Sequence, residues 1–255
     1  MILLLEEEPA KNGFLNMALD ELLAGEVEAG RMETFVRLYG WKPPAVSLGR
    51  NQKADEVDVA ACRSDGVDVV RRPTGGRAVF HRDELTYSIA SPLNDPIFGG
   101  AARDAYRAIG RGLCRGLRLL GVPAELVRAA VPDRRTGLSP SCFAASGRYE
   151  LAVGGRKIVG SAQRRFAKSF LQQGSVLLCQ VQDHRYFRSP APAGSFTTAE
   201  RELGRPVFFD EAARAMKQGM AEEWGVELTG IQIDSKMVEK AEALAAKNRA
   251  SRYAA

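Results

Sequence analysis

Apolar positions along the chain fall into two rhythms. Helical spacing shows first at Leu15, Leu19, Leu22 and Leu23, which predicts a helix over Asn12–Glu28 with Asp20 and Glu21 on its other face. It returns at Tyr106, Ile109, Leu113, Leu117 and Leu120, a second long helix from Ala101 that Gly121 and Pro123 end. Further helices are expected from Asp55 to near Gly66, from a cap at Asp210 to about Trp224, and from Ser235 to Lys247. Between them, short apolar or alternating runs read as strands. These are Ile2–Leu5 at a sheet edge, Phe35–Trp41, Ala45–Leu48, Val67–Arg72, Ala78–His81, Thr86–Ala90, Ala124–Ala130, Tyr149–Val153, Lys157–Ser161 and Ser169–Leu178.

The strands come in groups with helices interspersed, not in strict alternation. That order predicts an α+β fold, a mixed and largely antiparallel sheet with helices packed on it. No shift in composition marks a linker and no internal repeat is visible, so residues 1–255 are expected to form one domain.

Composition narrows the function classes. The formal charge of +5 and a pI near 9.1 are mildly basic, with positive residues scattered apart from pairs such as Arg71–Arg72, Arg134–Arg135 and Arg164–Arg165. Spread charge of this kind favours an acidic partner and falls short of a nucleic-acid stripe, so no nucleic acid is expected. No apolar run approaches the roughly 20 residues a membrane span needs. The opening MILLLEEEPA lacks the basic start of a signal peptide, which predicts a cytoplasmic protein with no membrane attachment. Cys62, Cys114, Cys142 and Cys179 are widely spaced and only two histidines are present, His81 and His184, so neither a disulfide framework nor a metal site is expected.

The stretch from Ser139 to Leu178 carries the sharpest chemistry. Cys142 sits on a loop flanked by Ser139, Pro140, Ser141, Ser146 and Gly147, unlike Cys62 and Cys114 in helical patterns and Cys179 at a strand end. A cysteine ordinarily fills a small apolar space; a loop setting beside a cation makes it a candidate nucleophile, because a nearby positive charge lowers the thiol pKa from about 8.5. Lys157, just after Gly154-Gly155 and before Ile158 and Val159, is placed to supply that cation across a hairpin. The pair points to acyl transfer. RRPTGGRAVFH resembles a phosphate loop only superficially, since it lacks the GK[ST] ending and no helix follows. It reads equally as a glycine hairpin with a salt-bridged arginine or as the wall of a binding groove. His81 ends a strand, where a structural hydrogen-bonding role competes with that of a general base.

RRPTGGRAVFHRDELTYS, SPSCF, YEL, GRKIVGSAQRR and QQGSVLL, in this order and preceded by NMALDE and WKPPAVSLGRNQ, resemble the lipoate–protein ligase, octanoyltransferase and biotin ligase superfamily, and most of all the LipM-type octanoyltransferases. The resemblance covers about Asn12 to Leu178. It implies a biotin/lipoyl ligase-like catalytic domain without an accessory C-terminal domain. It also implies a catalytic pair, Cys142 as the acyl-thioester carrier and Lys157 as its helper. Substrate binding falls on Arg72, Gly75, Gly76, Arg77, Ala78, His81, Gly160, Ser161, Ala162, Gln163 and Gly174. One departure stands out: Gln173 occupies the place where the family usually has histidine.

What the resemblance implies is transfer of an octanoyl group from octanoyl-acyl carrier protein to a lysine of a lipoyl domain, such as the glycine cleavage H protein, by a monomer needing no cofactor. Two enzymatic alternatives share the motifs: an ATP-dependent lipoate–protein ligase and an amidotransferase between lipoyl domains. A binder of lipoyl or acyl-carrier proteins that has kept the fold without the chemistry is the alternative from another class.

Overall fold

The computed structural model describes residues 2–128, 149–179, 184–188 and 194–252. Cys142 and its loop lie outside the described residues. The strands in chain order are β1 (Ile2–Lys11), β2 (Phe35–Trp41), β3 (Ala45–Leu48), β4 (Asp68–Arg71), β5 (Val79–His81), β6 (Leu85–Pro92), β7 (Glu125–Val127), β8 (Glu150–Val153), β9 (Arg156–Arg165), β10 (Ser169–Val176) and β11 (Leu228–Ile231). The helices are α1 (Gly13–Glu28), α2 (Val59–Ser64), α3 (Ala102–Leu119), α4 (Ala199–Leu203), α5 (Phe209–Trp224) and α6 (Ser235–Arg252).

Eight strands form the main sheet in the order β11-β1-β2-β6-β10-β9-β8-β7, and β4-β3-β5 form a smaller one. The pairs β1–β11 and β1–β2 are parallel and the remaining pairs of the main sheet antiparallel. The fold is therefore α+β with a mixed, largely antiparallel sheet. β1 is not an edge strand as expected: it runs on to Lys11 and is flanked on both sides.

Alternation along β2 explains how both faces of the sheet are covered. Val36 and Leu38 point into a core shared with Ile109, Leu113 and Leu117 of α3 and Met216 and Met220 of α5. Each fully buried aliphatic side chain there contributes about 1.5–3 kcal/mol. Phe35 and Tyr39 face α1 on the other side, and α6 packs over α1 through Ala241 and Ala245. Arg37 shares that second face and is fully buried.

Two sequence expectations need correction here. Asp20 is not on an outer face of α1: it is wholly buried, because the stripe that α1 turns inward includes Asn16 and Asp20 together with Leu23 and Val27. Asp210 does not cap α5; Phe208 holds the cap position without a side-chain bond and Asp210 lies in the first turn, where a negative charge suits the helix dipole. Asn12 does cap α1, accepting from the Leu15 N–H at 3.0 Å.

Candidate active site

A cleft of about 290 Å³ opens where β9 and β10 pair in the main sheet and face the small sheet across the Pro73–Gly76 loop. Arg72, Gly75, Gly76, His81, Gly160, Ser161, Ala162, Gln163 and Gly174 all line it. So do Met17, Tyr39, Trp41, Ser47, Val79, Thr86, Tyr106, Gln173 and Ser175, none of which the sequence reading assigned to substrate. Arg77 and Ala78 do not line it. Ala78 packs on the small-sheet core, and Arg77 turns its carbonyl to the Arg72 guanidinium at 2.7 Å.

The loop approaches its neighbours so closely that side chains are excluded. A Cβ on Gly49 would stand 1.8 Å from the Gly76 carbonyl oxygen, and Gly76 itself has a φ of 90°, a left-handed conformation that glycine adopts freely. On the opposite wall a Cβ on Gly174 would meet the Tyr87 ring at 2.4 Å. These glycines let two backbone segments form the cleft walls at close range.

Arg72 is the brace of the loop. Its guanidinium donates to the carbonyls of Ser47 at 2.9 Å, Gly75 at 2.7 Å and Arg77 at 2.7 Å, and to Ser47 Oγ at 3.0 Å. Ser47 Oγ also stands 2.7 Å from His81 Nε2, and His81 Nδ1 stands 2.7 Å from Glu84 Oε1. Glu84 accepts further bonds from Thr86 and Ser175. Trp41 stacks on the His81 ring at 4.1 Å and donates its indole N–H to Thr86. His81 is thus held on both nitrogens and one face, the arrangement of a structural hydrogen-bonder.

A second buried carboxylate braces the same loop from α1. Asp20 accepts from Arg37 at 2.8 Å, Ser88 at 2.7 Å, Tyr39 at 2.8 Å and Gln173 Nε2 at 2.6 Å. Burial, and after it the Asp20 charge, push the Tyr39 phenol well above its ordinary pKa, so it stays protonated and donates. Gln173 Oε1 accepts from Thr74 Oγ1 at 2.8 Å. The Gln173 amide therefore links Asp20 to the loop, donating at one end and accepting at the other.

Lys157 does not line the cleft. It is almost buried, and its Nζ donates to Glu150 Oε1 at 2.8 Å. Its backbone is pinned by the Ser195 carbonyl and the Thr197 N–H. It borders a small void with Glu150 and Tyr149, and Tyr106 and Ser161 line both that void and the main cleft. Burial raises the Tyr87 phenol to about 12 and also lifts that of Tyr106, so both tyrosines near this wall are neutral hydrogen-bonding groups. Burial likewise raises the thiols of Cys62, to about 11, and Cys114, which removes both as nucleophiles.

The site is thus a glycine-walled cleft between the main sheet and the small sheet, with a buried lysine behind one wall. The chain belongs to the lipoyl protein ligase A/B catalytic domain family, whose model matches residues 12–221. It is 41% identical over 249 residues to a protein of Symbiobacterium thermophilum named octanoyltransferase LipM, covering 90% of this chain and 89% of that one. A Kyrpidia tusciae protein of the same name is 37% identical over 254 residues, covering 93% of each chain. Among solved structures, a crystal structure of lipoate-protein ligase A bound with ATP superposes with a TM-score of 0.77 over 96% of this chain and 94% of its own, at 23% identity, which is a likeness of fold.

Proposed function

We propose that this chain is an acyltransferase of lipoate biosynthesis that moves an octanoyl group from octanoyl-acyl carrier protein to a lysine of a lipoyl domain of the glycine cleavage H protein type, through a thioester on Cys142. The observation that carries the reading is the cleft itself: the motif residues of β9, β10 and the Pro73–Gly76 loop line one small pocket in a chain 41% identical to an octanoyltransferase. Its volume of about 290 Å³ falls just under the usual range for small-molecule pockets, roughly 300–1,000 Å³, which suits a short acyl chain.

The chemistry balances without an energy source. In the first half, the Cys142 thiolate attacks the donor's thioester carbonyl, the carrier thiolate leaves and takes up a proton, and one thioester replaces another. In the second, the acceptor lysine's neutral amine attacks the Cys142 thioester, loses a proton as the amide forms, and Cys142 leaves as the thiolate. Splitting the transfer at a covalent intermediate gives ping-pong order. In this reading the Lys157 ammonium sits beside the Cys142 thiolate, gives its proton to the departing carrier thiolate, and as the neutral amine then takes the proton of the attacking lysine, with Glu150 fixing its position. Gly160 and Ser161 offer the pocket wall against which the acyl carbonyl rests.

Intact-protein mass spectrometry after incubation with octanoyl-acyl carrier protein, without ATP, tests this directly. The expected result is an added octanoyl mass that hydroxylamine removes and that Cys142→Ala abolishes. Turnover of free lipoate only when ATP is present would replace the reading with that of a ligase.

A further inference from the structure

A second cavity, of about 480 Å³, adjoins the cleft and shares Arg72 with it. Four guanidiniums, those of Arg50, Arg71, Arg72 and Arg164, line it against a single carboxylate, Glu21. The four divide into two kinds. Arg72 is engaged by loop carbonyls, and Arg71 Nη1 donates to the carbonyls of Gly49 at 2.7 Å, Arg50 at 3.1 Å and Gln52 at 2.7 Å. These two hold the rim and fix the backbone on which Arg50 rides. Arg50 and Arg164 themselves have no side-chain hydrogen bond or ion pair among the described residues. Arg164 stacks its guanidinium 4.4 Å over Phe166, which orients it without neutralising it.

Leaving two cations close together and unpaired is unfavourable. Burial, and next the charge of Arg50, lower the pKa of Arg164, while Glu21 opposes them. Such a cluster lowers its energy when an anion with several acceptor oxygens enters, and guanidiniums are suited to phosphate.

We propose that this cavity binds the phosphate ester of the donor's phosphopantetheine arm, with Arg50 and Arg164 as the residues that touch it. The inference rests on the carrier-protein donor proposed above and assigns to it a recognition element separate from the acyl cleft. Because Arg72 borders both spaces, one extended donor can hold its thioester at the cleft and its phosphate at the rim, the arm lying along the Pro73–Gly76 loop.

The test compares two donors that differ only in the phosphate, octanoyl-4′-phosphopantetheine and octanoyl-pantetheine, by the rate of octanoyl addition to the protein. The phosphorylated donor is expected to react roughly tenfold faster or more at limiting concentration. Arg50→Gln and Arg164→Gln should each pull the ratio toward one, and 0.5 M salt should do the same. Arg50 is exposed, so its variant serves even if Arg164→Gln fails to fold. A ratio near one in the unaltered protein, or a ratio the variants leave intact, overturns the proposal. If neither donor acylates the protein, the transfer reading fails by itself, and calorimetric binding of 4′-phosphopantetheine against pantetheine decides the site. Phosphate-dependent binding lost in Arg50→Gln sustains it and equal binding of the two sinks it. Loss of ATP binding in the variants, with no binding of phosphopantetheine, would reassign the cavity to a nucleotide and also overturn the proposal.

Discussion

Two buried carboxylates, Asp20 and Glu84, grip the same loop from opposite sides and do it with different electrostatics. Both accept a bond from the same face of β10, Asp20 from Gln173 and Glu84 from Ser175. Asp20 reaches the loop through Gln173 and Thr74, Glu84 through His81, Ser47 and Arg72. Asp20, however, is paired with a wholly buried arginine, whereas the donors that Glu84 holds are hydroxyls and an imidazole. A buried ion pair is costly to break because removing one partner strands the other charge. A carboxylate held by hydroxyls and an imidazole strands no guanidinium. The first is a lock on the fold of α1 against β2; the second is a local frame for the cleft.

That contrast sets the order of effects. Asp20→Asn should cost about 3–5 kcal/mol in urea unfolding, since it removes the charged partner of Arg37 from a fully buried ion pair. Replacing Arg37 by Met in that background should recover part of the loss; no recovery would mean that the hydrogen bonds, and not the stranded cation, carry the cost. Glu84→Gln should cost less, about 1.5–3 kcal/mol, the range for bonds to a charged acceptor. If it costs as much as Asp20→Asn, the contrast disappears. Thr74→Val removes a single bond to Gln173 and should cost about 0.5–1.5 kcal/mol, with a larger proportional fall in the rate of acyl-enzyme formation than in stability. A rate that does not change would show that the Asp20 side of the grip does not shape the cleft.

Much of the frame was legible in the chain and its blind spots have physical causes. The runs Phe35–Trp41 and Ala45–Leu48 form strands over those same residues, because short, mostly apolar runs flanked by turn residues are buried on both faces. The helix over 12–28 was readable from its leucines. The burial of Asp20 was not, because spacing gives the face of a helix but not the arginine waiting across it on β2. β11 went unseen: Leu-Thr-Gly-Ile is short and half polar, and only its partner β1 makes it a strand. In the site, the glycine motifs come together on one cleft. The aromatic and hydroxyl residues that complete it, Tyr39, Trp41, Ser47 and Thr86, looked like ordinary strand residues, since what brings them together is the meeting of two sheets.

The pairing of Ile2–Leu5 with Leu228–Ile231 has a bearing on how the chain is made. A nascent polypeptide emerging from the ribosome carries its first strand long before the segment that will flank it. Until then that apolar ribbon has one side of its backbone amides and carbonyls open, a template for pairing with another chain. The ribbon is followed at once by three glutamates and a proline, Glu6 to Pro9, the kind of charged, ring-constrained flank that discourages such pairing during the wait.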